Sequence, residues 1–165
     1  MRKLLGLTCA AAIAFGAVLA GAASASADPG DRGRGPGRAP QANVQISGIQ
    51  YDAPGRDSRA NSSLNGEWIS IVNNGRRAVN LRGYTIKDRA NHVFRFNNNT
   101  WLGGGERIRV HTGFGRANDN QAFWGSRTHI WNNEGDVATL SGPRGARLDT
   151  CAYRGSVRGN GFVRC

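Results

Sequence analysis

In Glu106-Arg107-Ile108-Arg109-Val110-His111, aliphatic side chains alternate with basic ones. Successive side chains on a strand point to opposite faces, so this period of two predicts a half-buried strand. Ile108 and Val110 would face a core, with Arg107, Arg109 and His111 on the other side. Gly103-Gly104-Gly105 just before it reads as a turn. It lacks the Lys-Ser/Thr of a phosphate-binding loop and leads into a strand instead of a helix.

The same rhythm extends in both directions. Glu67-Trp68-Ile69-Ser70-Ile71-Val72 ends in Asn73-Asn74-Gly75, which predicts a tight turn with positive φ, and a further strand, Ala78 to Leu81, follows at once. Upstream, Val44, Ile46 and Gly48 alternate with Gln45 and Ser47. Downstream, Tyr84 and Ile86 lead through a turn at Asp88 to Asn91 into Phe94 and Phe96. Asp136 to Ser141 and Ala146 to Tyr153 flank the turn Gly142-Pro143-Arg144-Gly145. Asn118 to Asn132 reads as a long loop anchored by Phe123, Trp124, Ile130 and Trp131. No helical period is evident after residue 27. Short strands with turn chemistry between them predict an all-β sandwich or barrel.

The N-terminal part has a different texture. Met1-Arg2-Lys3, the apolar run Leu4 to Leu19 and the small residues Ala25-Ser26-Ala27 predict a signal peptide over residues 1–27, cleaved before Asp28, with export and no membrane span after processing. Residues 28–41 are Gly, Pro and Arg with no large apolar side chain, the composition of a disordered linker. Residues 42–165 then form the folded domain. Cys9 falls within the signal, which leaves Cys151 and Cys165. In an exported protein such a pair predicts a disulfide, closing a loop of about 14 residues and contributing ~3 kcal/mol.

The whole chain carries a net charge of +11. Loss of Arg2 and Lys3 leaves 20 basic residues against 11 acidic ones, or +9, and Lys87 is then the only lysine. Guanidinium groups pair bidentately with phosphate and carboxylate, so an anion-binding surface is one expectation and a solvated outer face the other. The candidate polyanion-binding residues are Arg107 and Arg109 on one strand face, Arg95 on a neighbouring strand, and Arg76 and Arg77 at the turn.

Several pieces in order and spacing resemble the lamin tail domain. They are Glu67-Trp68-Ile69-x-Ile71-x-Asn73-Asn74-Gly75, then Val79-x-Leu81-x-Gly83-Tyr84-x-Ile86-x-Asp88 and Phe94-x-Phe96. After Leu102-x-Gly104 and Trp124-Gly125 comes Trp131-Asn132-Asn133-x-Gly135-Asp136-x-Ala138-x-Leu140, closing with Gly145 to Asp149. The likeness spans about Asn43 to Tyr153 and is greatest to secreted actinobacterial members with one such domain. It implies an immunoglobulin-like β-sandwich without catalytic residues. Within it, Glu67, Trp68, Asn73, Gly75, Gly83, Trp131, Asn132, Asn133, Gly135 and Asp136 take structural roles.

The remaining chemistry is sparse. The Asn132 to Asp136 oxygens suit an Asx-type turn, with a calcium loop as the alternative. His92, His111 and His129 lack zinc-ligand spacing. Glu67, Glu106 and Glu134 are isolated, each near an arginine, and are expected in salt bridges or solvent. No catalytic residue, cofactor or metal is assigned. The expected function is a secreted, non-catalytic binding or scaffold module docking on an anionic polymer or a protein at the cell envelope. A DNA-associated accessory domain and a small secreted hydrolase are the alternatives.

Overall fold

The computed structural model describes residues 43–155 and 160–165, which belong to the unit spanning Arg38–Cys165. The signal peptide read at 1–27 and the linker read at 28–41 lie outside the described residues. In chain order the strands are β1 (Val44–Gln50), β2 (Trp68–Asn73), β3 (Val79–Asn80), β4 (Thr85–Lys87), β5 (Val93–Arg95), β6 (Trp101–Leu102), β7 (Arg107–His111), β8 (Gln121–Phe123), β9 (Gly135–Ser141), β10 (Arg147–Arg154) and β11 (Phe162–Arg164). A short helix, α1 (Asn61–Gly66), precedes β2.

They form a five-stranded sheet in the order β11-β1-β2-β7-β8, a four-stranded sheet in the order β10-β9-β4-β5, and a two-stranded ribbon of β3 and β6. The period of two sorts each strand. Ile69, Ile71, Ile108 and Val110 are buried on the inner face of the five-stranded sheet, and Ile86, Ala138, Leu140, Cys151 and Tyr153 on that of the four-stranded sheet. These residues share one core with Leu81, Leu102, Ile130 and Trp131. Fully burying each aliphatic side chain contributes about 1.5–3 kcal/mol. This is the immunoglobulin-like β-sandwich that the resemblance to the lamin tail domain implies.

Four local expectations are corrected. First, β1 does not alternate evenly. A bulge between Ile46 and Gly48 inserts Ser47, so Ile46 pairs with Ile71 and Ile49 with Ile69. The extra residue resets the phase, turning Ile49 inward and leaving Gly48 in line with outward-facing Ser70. Second, β2 and β3 do not form a hairpin. The former pairs with β1 and β7, the latter with β6. Gly75 is not among the residues of positive φ. Instead the buried Asn73 side chain makes the bend, accepting from the Gly75 amide (3.0 Å) and donating to the carbonyls of Arg77 (2.8 Å) and Leu102 (2.9 Å). Third, Gln121–Phe123 lies within the stretch read as loop but pairs in parallel with β7. Fourth, α1 is helical, too short to show a helical period in sequence.

Cys151 and Cys165 are disulfide-bonded, with Cα atoms 5.7 Å apart. The bond joins β10, an edge of one sheet, to the end of β11, an edge of the other. Two contacts close the same side of the sandwich. The Ile46 amide donates to Asp149 Oδ2 at 2.8 Å, and Tyr51 stacks on Tyr153 at 4.4 Å. Replacing both cysteines by serine is therefore expected to cost about 3 kcal/mol in urea-unfolding free energy. An unchanged unfolding midpoint would contradict this role.

Candidate functional site

The outer face of the five-stranded sheet carries what the alternation turns away from the core. Gln50, Trp68 and His111 stand in register, continued by Phe162 on β11 and Phe123 on β8. One step along, Arg164, Gly48, Ser70, Arg109 and Gln121 make a second row. Gln45, Val72 and Arg107 make a third. The second and third rows, with Trp68 and Phe162 from the first, line a solvent-open groove of about 720 Å³.

Its aromatic wall is internally braced. Trp68 lies 5.7 Å from Phe162, centroid to centroid, and the Arg109 guanidinium sits 4.4 Å over the Trp68 ring. Such a cation–π contact contributes about 0.5–1 kcal/mol and holds the charge in place. Phe162 reaches over Gly48, where an added Cβ would come within 2.7 Å of Cζ. The polar wall is also linked. Ser47 Oγ lies 2.9 Å from Ser70 Oγ, and Asn74 Nδ2 donates to Gln45 Oε1 at 2.6 Å. Arg107, Arg109 and Arg164 border the groove, and among the described residues no Asp or Glu side chain lines it.

Of the five arginines singled out in the sequence, Arg107 and Arg109 line this groove. Arg76 and Arg77 stand exposed in the bend after β2, outside its lining. Arg95 corrects the expectation of a neighbouring strand. It lies on β5 in the other sheet, where its guanidinium donates to the Gly83 carbonyl at 3.3 Å. Sequence reading missed Phe162 and Arg164. The alternation Phe162-Val163-Arg164, held beside Cys165, is the signal that could have found them.

Glu67 departs furthest from expectation. It is neither solvated nor paired with arginine, and its side chain is fully buried. Oε1 accepts from Thr112 Oγ1 (2.6 Å), the Ile130 amide (2.7 Å) and the Trp131 amide (2.9 Å). Oε2 lies 2.8 Å from His129 Nδ1. The carboxyl thus anchors the segment before β9 to the start of β2. Burial pushes its pKa above the ordinary 4.5, partly opposed by these hydrogen bonds.

Folded Glu67 therefore binds its proton more tightly than unfolded Glu67 does. The stability this adds is complete below pH 4.5 and falls as pH rises through the higher folded value. Glu67→Gln cannot titrate, so the stability of the native chain relative to this variant should fall as pH rises above 4.5, read by urea unfolding at a series of pH values. A relative stability that rises over that window would contradict the assignment. Glu67→Ala, which strands two buried amides, should cost on the order of 3 kcal/mol.

The Trp131 to Asp136 motif is a turn built on backbone amides. Asp136 Oδ1 accepts from Arg89 (3.0 Å) and Val137 (2.7 Å), Oδ2 from Asn132 (3.3 Å), and Asn132 Oδ1 from Glu134 (2.9 Å). Gly135 has φ +136. Tyr153 donates to the Asn132 carbonyl at 3.0 Å, and burial first, then the Asp136 charge, pushes its hydroxyl pKa up.

A second depression beside this turn includes Asp88, His92, His129, Glu134 and Asp136, so histidine and carboxylate do meet there. The Asp88 oxygens, however, bond the amide and ring of His92 itself (2.7 and 2.6 Å). Among the described residues, no Ser, Thr, Cys, Lys or Tyr lines the depression. Among the described residues no group of His, Cys, Asp or Glu is placed to hold a metal ion, and no helix is long and apolar enough to cross a membrane.

A search among curated proteins finds no match. The family model for the Lamin Tail Domain matches residues 38–155, well over half of the chain. That span holds both sheets of the sandwich apart from β11, and the family suggests a non-catalytic, immunoglobulin-like binding or scaffold module. The chain belongs to the lamin tail domain family.

Proposed function

We propose that this chain is an exported, non-catalytic binding module that docks an anionic polymer of the cell envelope in the groove on the outer face of its five-stranded sheet. The observation that carries the reading is the meeting of Arg107, Arg109 and Arg164 around one open groove that, among the described residues, no acidic side chain lines. Guanidinium forks pair with carboxylate and phosphate in two-point contacts, and one of these is already held in place on Trp68. An open groove crossing several strands suits an extended chain better than an enclosed small molecule. A non-catalytic role agrees with the family and with carboxylates engaged in backbone turns. Export rests on the basic and apolar run of residues 1–27.

Binding driven by these charges releases counterions and must weaken with salt. On dextran sulfate, Arg107→Ala and Arg109→Ala should each lower affinity, and each should flatten the slope of log K against log salt by roughly one. Arg95→Ala, on the opposite sheet, should leave both unchanged. Equal losses from all three variants would point to overall charge, and salt-independent binding would contradict the mechanism.

A further inference from the structure

We infer that the polymer taken by this groove is an acidic polysaccharide and not a nucleic acid, an inference that rests on the binding role proposed above. Single-stranded nucleic acid is held by a basic groove together with open aromatic faces on which bases stack. Here the charge is present, but the rings are engaged with one another. Trp68 has the Arg109 guanidinium over its ring and Phe162 against it. His111 stacks with Phe123 at 5.3 Å, and its Nδ1 lies 2.7 Å from the Asn65 carbonyl. The more exposed Trp101 and Phe114 are absent from the groove lining.

What the groove offers in place of stacking faces is a polar row in which charge and hydroxyl or amide groups interleave. Across the strands the order is Arg164, Gly48, Ser70, Arg109, Gln121. A polyuronate, an acidic glycan with a carboxylate on each ring and hydroxyls between, has the complementary pattern. Each sugar hydroxyl both donates and accepts, as do serine hydroxyls and side-chain amides. The existing links leave free valences to match. Gln45 Oε1 is taken by Asn74, and among the described residues no acceptor meets the Gln45 amide hydrogens, which point to a ligand role. The Arg109 fork is fixed on Trp68 before binding, so less side-chain entropy is lost when it meets a carboxylate. The aromatic edges and Val72 complete an apolar border for the C–H edges of sugar rings.

The test compares polygalacturonate with an oligo-dT of equal charge, titrated into the full chain at one salt concentration. Polygalacturonate should bind at least about tenfold more tightly. Gln121→Ala, an exposed substitution, and Ser70→Ala should weaken polygalacturonate severalfold and leave oligo-dT unmoved. Equal or tighter binding of oligo-dT overturns the glycan inference while leaving the docking groove in place, provided Arg109→Ala still weakens both polymers. Loss of polygalacturonate and oligo-dT binding at every salt concentration, with dextran sulfate also unbound, overturns the groove itself.

Discussion

Two neighbouring strands, β2 and β7, carry the constraint on which the rest depends. A strand has only two faces, so each residue placed inward commits its neighbours outward. Ile69 and Ile71 pair with Val110 and Ile108 across this boundary and are completely or almost completely buried. The same register obliges Trp68, Ser70 and Val72 to stand beside His111, Arg109 and Arg107 on the far side. The core and the groove are therefore two sides of one pattern. A slip of one residue would expose the aliphatic groups and bury guanidinium groups without partners, so the register is strongly specified.

Around this central pair, three devices complete the face. The Ser47 bulge lets β1 bury both Ile46 and Ile49 and turns Gly48 outward, with no side chain to obstruct the Phe162 ring. The disulfide and the β11 pairing bring Phe162 over Gly48 and Arg164 beside it. At the other end, Glu67 draws Ile130 and Trp131 onto the sandwich through its buried carboxyl. A fully buried acid is tolerated there because it meets two amides, a hydroxyl and an imidazole, and no apolar side chain of similar size could satisfy those donors.

Much of the sandwich is legible in the sequence because local alternation reports a face directly. Ile108, Val110, Ile69 and Ile71 read correctly from spacing alone. So does the disulfide, which followed from cysteine parity. What escaped was non-local. The parallel pairing of β8 depends on a strand already built beside it, and the bulge in β1 depends on matching its partner. The burial of Glu67 depends on donors more than 40 residues away. The site was half legible for the same reason. Arg107 and Arg109 declare a shared face by their spacing, and Phe162-Val163-Arg164 alternates too, but nothing local tells that this last strand pairs with β1 or that Arg95 lies in the other sheet.

The docking proposal puts the polymer on the outward row of the five-stranded sheet. It is tested most directly by amide chemical-shift mapping as polygalacturonate is added to isotope-labelled protein. The largest shifts should fall on Gly48, Ser70, Arg109, Gln121 and Arg164, with Thr139, Ala152 and the Asn132 to Asp136 turn little changed. Shifts concentrated on β9, β10 or that turn, with the groove silent, would contradict it.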